Sequence, residues 1–366
     1  MAAEGPQKEQ FHALTGLRGF AALWVVSLHF QEVTNQLAPV TVALNWLMGA
    51  GANAVAVFFV LSGFVLLHTY HDRFPVFSWA AYRRYLGLRV ARIYPAYLAA
   101  LLLMVALVGV ATLRGLPHAD ATYPVRWLPW EVLMMHQWWQ SDFFGWNFPD
   151  WSVSAEWFAY LFIFPLALWG MKKLRGGTAA LASVLILLAV EPAVRLHWTW
   201  KIPMVSLLFL TGAGLWKIRS TWSKAHPLAD DHLDMMGAVL LLFALAVGPV
   251  FSQYVFLILI LVSAGLLILG VTYRGGIPAY LLSCRPVVFL GEISYSIYLI
   301  HGVVLRLLKT VLPAAHFEHA PAPLRWGLAM GNFAAVILAA ILLYYCVENP
   351  ARSWLRRRFE SPQMQK

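Results

Sequence analysis

Long apolar runs separated by short polar stretches dominate the chain, and their spacing sets the first expectation. Ten runs are long enough to cross a hydrocarbon core of about 30 Å, allowing for short and tilted members. They cover Leu14 to Gln31, Leu44 to Tyr70, Leu86 to Thr112, Val153 to Gly170 and Thr178 to Arg195, then Ile202 to Lys217, Met235 to Val250, Gln253 to Val271, Val287 to Leu308 and Leu324 to Val347. The Pro and Gly residues inside several runs are compatible with helix, because neighbouring helices satisfy the freed backbone groups. The pattern predicts an all-α, polytopic integral membrane bundle of about ten transmembrane helices. An even number of spans puts both termini on one side.

Composition strengthens this picture. Of the 366 residues, 60% are hydrophobic and 12% charged, against about a quarter charged in soluble domains. No small-residue cleavage site follows the first run, which is expected to be retained as a span. No repeat, long linker or appended soluble domain is visible, so residues 1–366 are expected to form one transmembrane domain with its core over 14–354.

The net charge of +10 raises the question of a polyanionic partner. The Lys and Arg residues cluster between apolar runs, not along an amphipathic stripe, so a lipid bilayer is the expected partner and nucleic acid is not. Most of them fall in alternate loops, including Arg83, Arg84, Lys172, Lys173, Lys217, Arg219 and Arg356 to Arg358. Short loops rich in Lys and Arg stay cytoplasmic. Both termini are therefore expected in the cytoplasm, with the chain a multi-pass protein of the cell (inner) membrane. Cys284 and Cys346 lack metal-type spacing and are expected to be packing residues.

The longest loop, about Leu113 to Ser152, is then external, and it holds Trp127, Trp130, Trp138 and Trp139. These suit either anchoring at the membrane surface or stacking on sugars.

Ionisable groups inside apolar runs cost on the order of 3 kcal/mol each, so they are the functional candidates. Arg18 and His29 share the first span with ten residues between them. Eleven helical steps return to within about 20° of one face, roughly 16 Å along the axis. A guanidinium suits phosphate or carboxylate, and an imidazole can take a proton from a hydroxyl. The bland readings are snorkelling for Arg18 and a helix–helix hydrogen bond for His29. Glu156 enters the fourth span from the side that His29 approaches; it could orient the imidazole, bind acceptor hydroxyls, or act as a helix N-terminal acid. Arg89 and Arg92 open the third span three residues apart, as a polyphosphate site or as ordinary positive-inside charge. His301 follows Ser294, Tyr295, Ser296 and Tyr298 in a polar seam that lines a cavity or bonds helix to helix.

Taken in order, several segments resemble the acyltransferase-3 group of transmembrane acyltransferases. They are LTGLRGFAALWVVSLHF with Arg18 and His29, FFVLSGF at Phe58 to Phe64, and RVARIYPAY at Arg89 to Tyr97. DWSVSAEWFAYLFIFPL at Asp150 to Leu166, FLGEISYSIYLIHG at Phe289 to Gly302 and ENPARSW at Glu348 to Trp354 complete the series. The resemblance implies transfer of an acyl group, usually acetyl, from cytoplasmic acyl-CoA (acetyl-CoA) to a hydroxyl of a glycan or lipid-linked sugar acceptor. It implies His29 and Arg18 as the catalytic pair, Arg89, Arg92 and Arg18 toward the CoA, and Glu156 near the acceptor. His29 would be general base, or the acyl group would rest briefly on His29, Tyr160 or Ser62; attack on a thioester calls for no metal. A macrolide or other small-molecule sugar is the alternative acceptor. A transporter or flippase is the alternative class, against which stand the lack of paired inverted repeats and of an acidic proton-relay chain. Assembly into a homo-oligomer stays open.

Overall fold

The computed structural model describes residues 11–74, 78–115, 123–139, 143–175, 201–222, 232–273 and 275–359, with scattered positions between 178 and 189. The expected fifth span, Thr178 to Arg195, lies largely outside the described residues. Among the described residues the regular structure is all helical. Eight helical stretches are long and apolar enough to cross a membrane, and a pair bent by 64° makes a ninth. These nine coincide with the nine other apolar runs.

The first helix, α1 (His12–Leu37), is the central post of the bundle. Its buried residues lie on every face, as expected of a helix surrounded by protein. It ends where Ala38 turns extended ahead of Pro39, which disfavours helical geometry in the residue before it. Thr41 then caps α2 (Val42–Gly49) by accepting from the Leu44 amide. A short 3-10 turn leads into α3 (Ala54–Tyr70). Ser78 caps α4 (Trp79–Leu113), which continues through Pro95. After the long loop, which carries α5 (Leu128–Val132), one span is built from α6 (Asp150–Phe158), a π-turn (Ala159–Ile163) and α7 (Phe164–Lys173).

The second half contains α8 (Ile202–Thr221), α9 (Leu233–Val247), α10 (Gln253–Tyr273) and the short α11 (Ile277–Leu282). The bent pair is α12 (Arg285–Glu292) and α13 (Ser294–Val311). The last span is α14 (Ala322–Leu343), a second π-turn (Tyr344–Glu348) and α15 (Asn349–Phe359).

Close helix approach is set by small residues, since lipid supplies no hydrophobic drive between helices. A Cβ on Gly63 of α3 would lie 2.0 Å from the Phe209 carbonyl oxygen, and one on Gly212 of α8 would lie 1.9 Å from that of Val60. The two backbones touch, which fixes the depth and rotation of Ser62. Around α1 pack α3, α12, α13 and α14, so Arg18 and His29 face a ring of neighbours. Cys284 and Cys346 correct the expectation of packing residues: both are exposed, Cys284 at the N-terminus of α12 and Cys346 on the outer side of the π-turn in the last span.

Candidate active site

One cavity, of about 130 Å³, runs between α1, α3, α4, α6 and α13. Its walls hold Arg18, Ser62, Arg89, Arg92, Glu156, Tyr160 and Tyr295. Five helices distant in sequence therefore bring together most of the residues singled out above. His29 and His301 do not line it. They meet each other beside it, next to Tyr298, a cavity residue whose ring lies 5.8 Å from that of His301.

The arginines differ in how they are held. Arg89 donates to the Tyr70 hydroxyl at 2.9 Å and lies over that ring. Arg92 is ion-paired with Glu348, which is 1% exposed, and lies over the Tyr295 ring. Glu348 also accepts from Ser296 Oγ at 2.7 Å. Arg18, in contrast, has no hydrogen bond among the described residues; the charges acting on it are those of Arg92, Glu156 and Glu348. Arg83 and Arg84 lie outside the cavity lining.

A compact hydroxyl–carboxylate group forms part of the cavity wall. Ser62 Oγ and the Tyr160 hydroxyl each donate to Glu156 Oε1 at 2.6 Å, and the two hydroxyls lie 3.4 Å apart. Glu156 and Tyr160 are one helical turn apart, and Tyr160 sits in the π-turn. That turn inserts one extra residue into the helix, a device common at functional sites. Glu156 is thus occupied by Ser62 and Tyr160, while the His29 ring is engaged elsewhere.

His29 Nδ1 lies 3.0 Å from the Val25 carbonyl oxygen and 3.2 Å from His301 Nε2. The Phe148 ring packs 4.6 Å from His29. His301 is fully buried, whereas His29 keeps a partly exposed edge. Near the same end, Ser152 Oγ and the Tyr298 hydroxyl are 2.6 Å apart, and both belong to the cavity wall. Asn147 bridges Asp150 Oδ1 and the Leu299 carbonyl, each at 2.9 Å.

Glu348 is the main residue that sequence reasoning did not single out as a site residue. It stands one residue past the last apolar run, at the start of ENPARSW, a position that gives no sign of which way its side chain faces. Tyr70 and Ser152 offered no signal either, since hydroxyls are common on membrane helices.

The loop over this end is folded down onto α6. Trp138 Nε1 donates to the Ser154 carbonyl at 3.1 Å, and the Gln137 amide to Ser154 Oγ at 3.1 Å. Trp130 and Trp139 meet edge to face and stay exposed. Beneath them Glu131, His136 and Lys201 are buried. Burial pushes the Glu131 carboxyl up to about 7, against a 2.7 Å bond from the Trp146 amide. Burial, with the Lys201 charge, pushes His136 down to about 3. Among the described residues no group of His, Cys, Asp or Glu side chains is arranged to hold a metal ion.

Comparison with known proteins gives this constellation a family. The acyltransferase domain model matches residues 11–346. The chain is 29% identical to "Acyltransferase MdmB" of Streptomyces mycarofaciens, over 96% of this chain and 94% of that protein. It is 26% identical to "Putative peptidoglycan O-acetyltransferase YrhL" of Bacillus subtilis (strain 168), over 96% of this chain but 57% of that longer protein. No solved structure matches. A model that spans all the helices lining the cavity leaves one conclusion: this chain is an enzyme of the acyltransferase-3 family of transmembrane acyltransferases.

Proposed function

We propose that the protein is a membrane-embedded O-acyltransferase that passes an acyl group, acetyl in the simplest case, from acyl-CoA to a hydroxyl of a cell-surface or lipid-linked glycan. The observation that carries the donor half is Arg18, the cavity cation with no protein hydrogen bond among the described residues. A partly buried guanidinium without a direct partner is costly, and it suits a phosphate or the developing oxyanion of a thioester. Arg89 adds a second positive charge to the wall, while that of Arg92 is balanced by Glu348; positive-inside counting assigns their end of α4 to the cytoplasm. The peptidoglycan O-acetyltransferase named among the relatives supports a glycan acceptor.

In the direct mechanism the acceptor oxygen attacks the thioester carbon and its proton passes to His29 Nε2. The carbon–sulfur bond then breaks, and the departing CoA thiolate takes that proton back. General-base help of this kind is worth roughly 10² to 10⁴ in rate. His29 and the acceptor meet at the end of the cavity marked by Tyr298 and Ser152, where the acyl group must arrive.

A second reading is favoured by the placement of Ser62, Glu156 and Tyr160 inside the cavity while His29 lies beside it. Ser62 Oγ, 2.6 Å from Glu156, would attack the thioester, lose its proton to that carboxylate and carry the acyl group as an ester. The carbon–sulfur bond would break as Glu156 returns that proton to the departing CoA thiolate; the acceptor hydroxyl would then attack the Ser62 ester, giving its proton to Glu156, which passes it to the departing serine oxygen.

Membranes containing the protein and supplied with labelled acetyl-CoA test both. Transfer of label to a glycan is expected, and mass spectrometry of surface glycans would show one acyl mass lost without the protein. Movement of substrate with the thioester left intact would instead mean a transporter. His29→Ala should abolish transfer with CoA binding largely kept; full activity would sink the direct mechanism. Ser62→Ala should be silent if transfer is direct and dead if the serine carries the acyl group.

A further inference from the structure

The contacts of the two histidines decide which nitrogen of each carries a proton. The Val25 carbonyl can only accept, so His29 Nδ1, at 3.0 Å from it, must be an N–H. That same N–H faces His301 Nε2 at 3.2 Å, which must therefore be the unprotonated nitrogen of its ring. The proton of His301 is left on Nδ1, a buried atom with no hydrogen-bond partner among the described residues. His29 is left with its lone pair on Nε2, on a ring that keeps a partly exposed edge. His301 is fully buried, with the Phe148 and Tyr298 rings 5.5 and 5.8 Å away. Gly302, next to it, has no room for a side chain, since a Cβ there would lie 2.3 Å from Asn147 Oδ1. The imidazole of His301 is thus enclosed by its neighbours, while His29 is partly exposed.

We propose that His301 is a positioning residue, which holds His29 by a hydrogen bond in the tautomer and rotamer that aim Nε2 at the acceptor hydroxyl. It rests on the reading of His29 as general base. His301 touches neither substrate; it acts through His29, as the orienting partner of a base does in other acid–base sites. Rotation of the imidazole about χ2 would break the Val25 bond, and with His301 in place it breaks a second contact as well. The second acceptor, on a different helix, fixes both angles.

The test compares His29→Ala, His301→Ala and His301→Gln in full-length protein, following label from acetyl-CoA into non-CoA products of membranes. The yield of folded protein is checked by size exclusion in detergent. Gln is the informative variant, because its amide oxygen reaches the position of Nε2 and can accept from His29. The expected result is a turnover lowered at least about tenfold in His301→Ala with the KM for acetyl-CoA within about twofold, and most of that turnover restored in His301→Gln. Equal loss in Ala and Gln would overturn the inference, since a role in packing alone predicts it. Wild-type turnover in His301→Ala beside an inactive His29→Ala would also overturn it and leave the base reading standing. Full turnover in His29→Ala would remove the base reading itself, and with it any need for a positioning partner.

Discussion

Arg18 and Arg92 are guanidiniums in one cavity, and a carboxylate separates their roles. Glu348 takes up Arg92, whereas Arg18 has no hydrogen bond among the described residues. The expected outcomes differ accordingly. Glu348→Ala strands a buried cation and should lower stability by about 3 kcal/mol, read as a fall in thermal midpoint in detergent. Arg18→Ala should leave that midpoint unchanged or raised while transfer falls by about 10²-fold, with partial recovery in Arg18→Lys. Glu131 gives a pH test outside the spans. Its carboxyl, up at about 7 when folded, holds a proton between the ordinary carboxylate range and 7 that the unfolded chain has released. It therefore lowers stability as pH rises through that window. Thermal midpoints of wild type and Glu131→Gln at pH 5 and pH 8 should show the variant gaining on the wild type at the higher pH. The in-phase Arg18 and His29 were legible because charge inside an apolar run is expensive. Glu348 was not singled out, because a charge at the end of a span looks the same whether it faces headgroups or an arginine. The bond from His29 to His301 links positions far apart in sequence, and no local pattern encodes it.

At the scale of elements, nine apolar runs reappear as nine crossing stretches, since length and hydropathy are what a bilayer demands. What periodicity could not reveal is the irregular helix. Both carboxylates that bond to side chains of the cavity wall stand at π-turns, Glu156 just before Ala159–Ile163 and Glu348 at the end of Tyr344–Glu348. Each turn holds one residue more than an α-helix needs, which rotates the helix on its N-terminal side relative to the helix on its C-terminal side. Deleting the exposed Phe162 should relax the first turn to α-helix and shift Glu156 from Ser62. The expected result is loss of transfer in a protein that still inserts and purifies as a single species; retained activity would show that the extra residue does not set the register.

For the molecule as a whole, the lining of the cavity comes from helices spread from residue 18 to residue 298, so folding and site formation are one event. The basic loops predict cytoplasmic termini, and the exposed Cys284 beside Arg285 supplies a native reporter. A membrane-impermeant maleimide should label Cys284 in inverted vesicles and spare it in intact cells; the reverse would invert the assigned orientation. The ion pair between Arg92 in α4 and Glu348 after α14 has a further consequence, for the timing of synthesis. A chain emerging from the ribosome inserts Arg92 long before its carboxylate is made. Until the final span arrives, the cavity holds a cation without its carboxylate, although every residue that lines the cavity precedes that span in the chain. The last helix therefore balances the charge of the cavity and adds nothing to its lining, so synthesis ends on the step that neutralises Arg92.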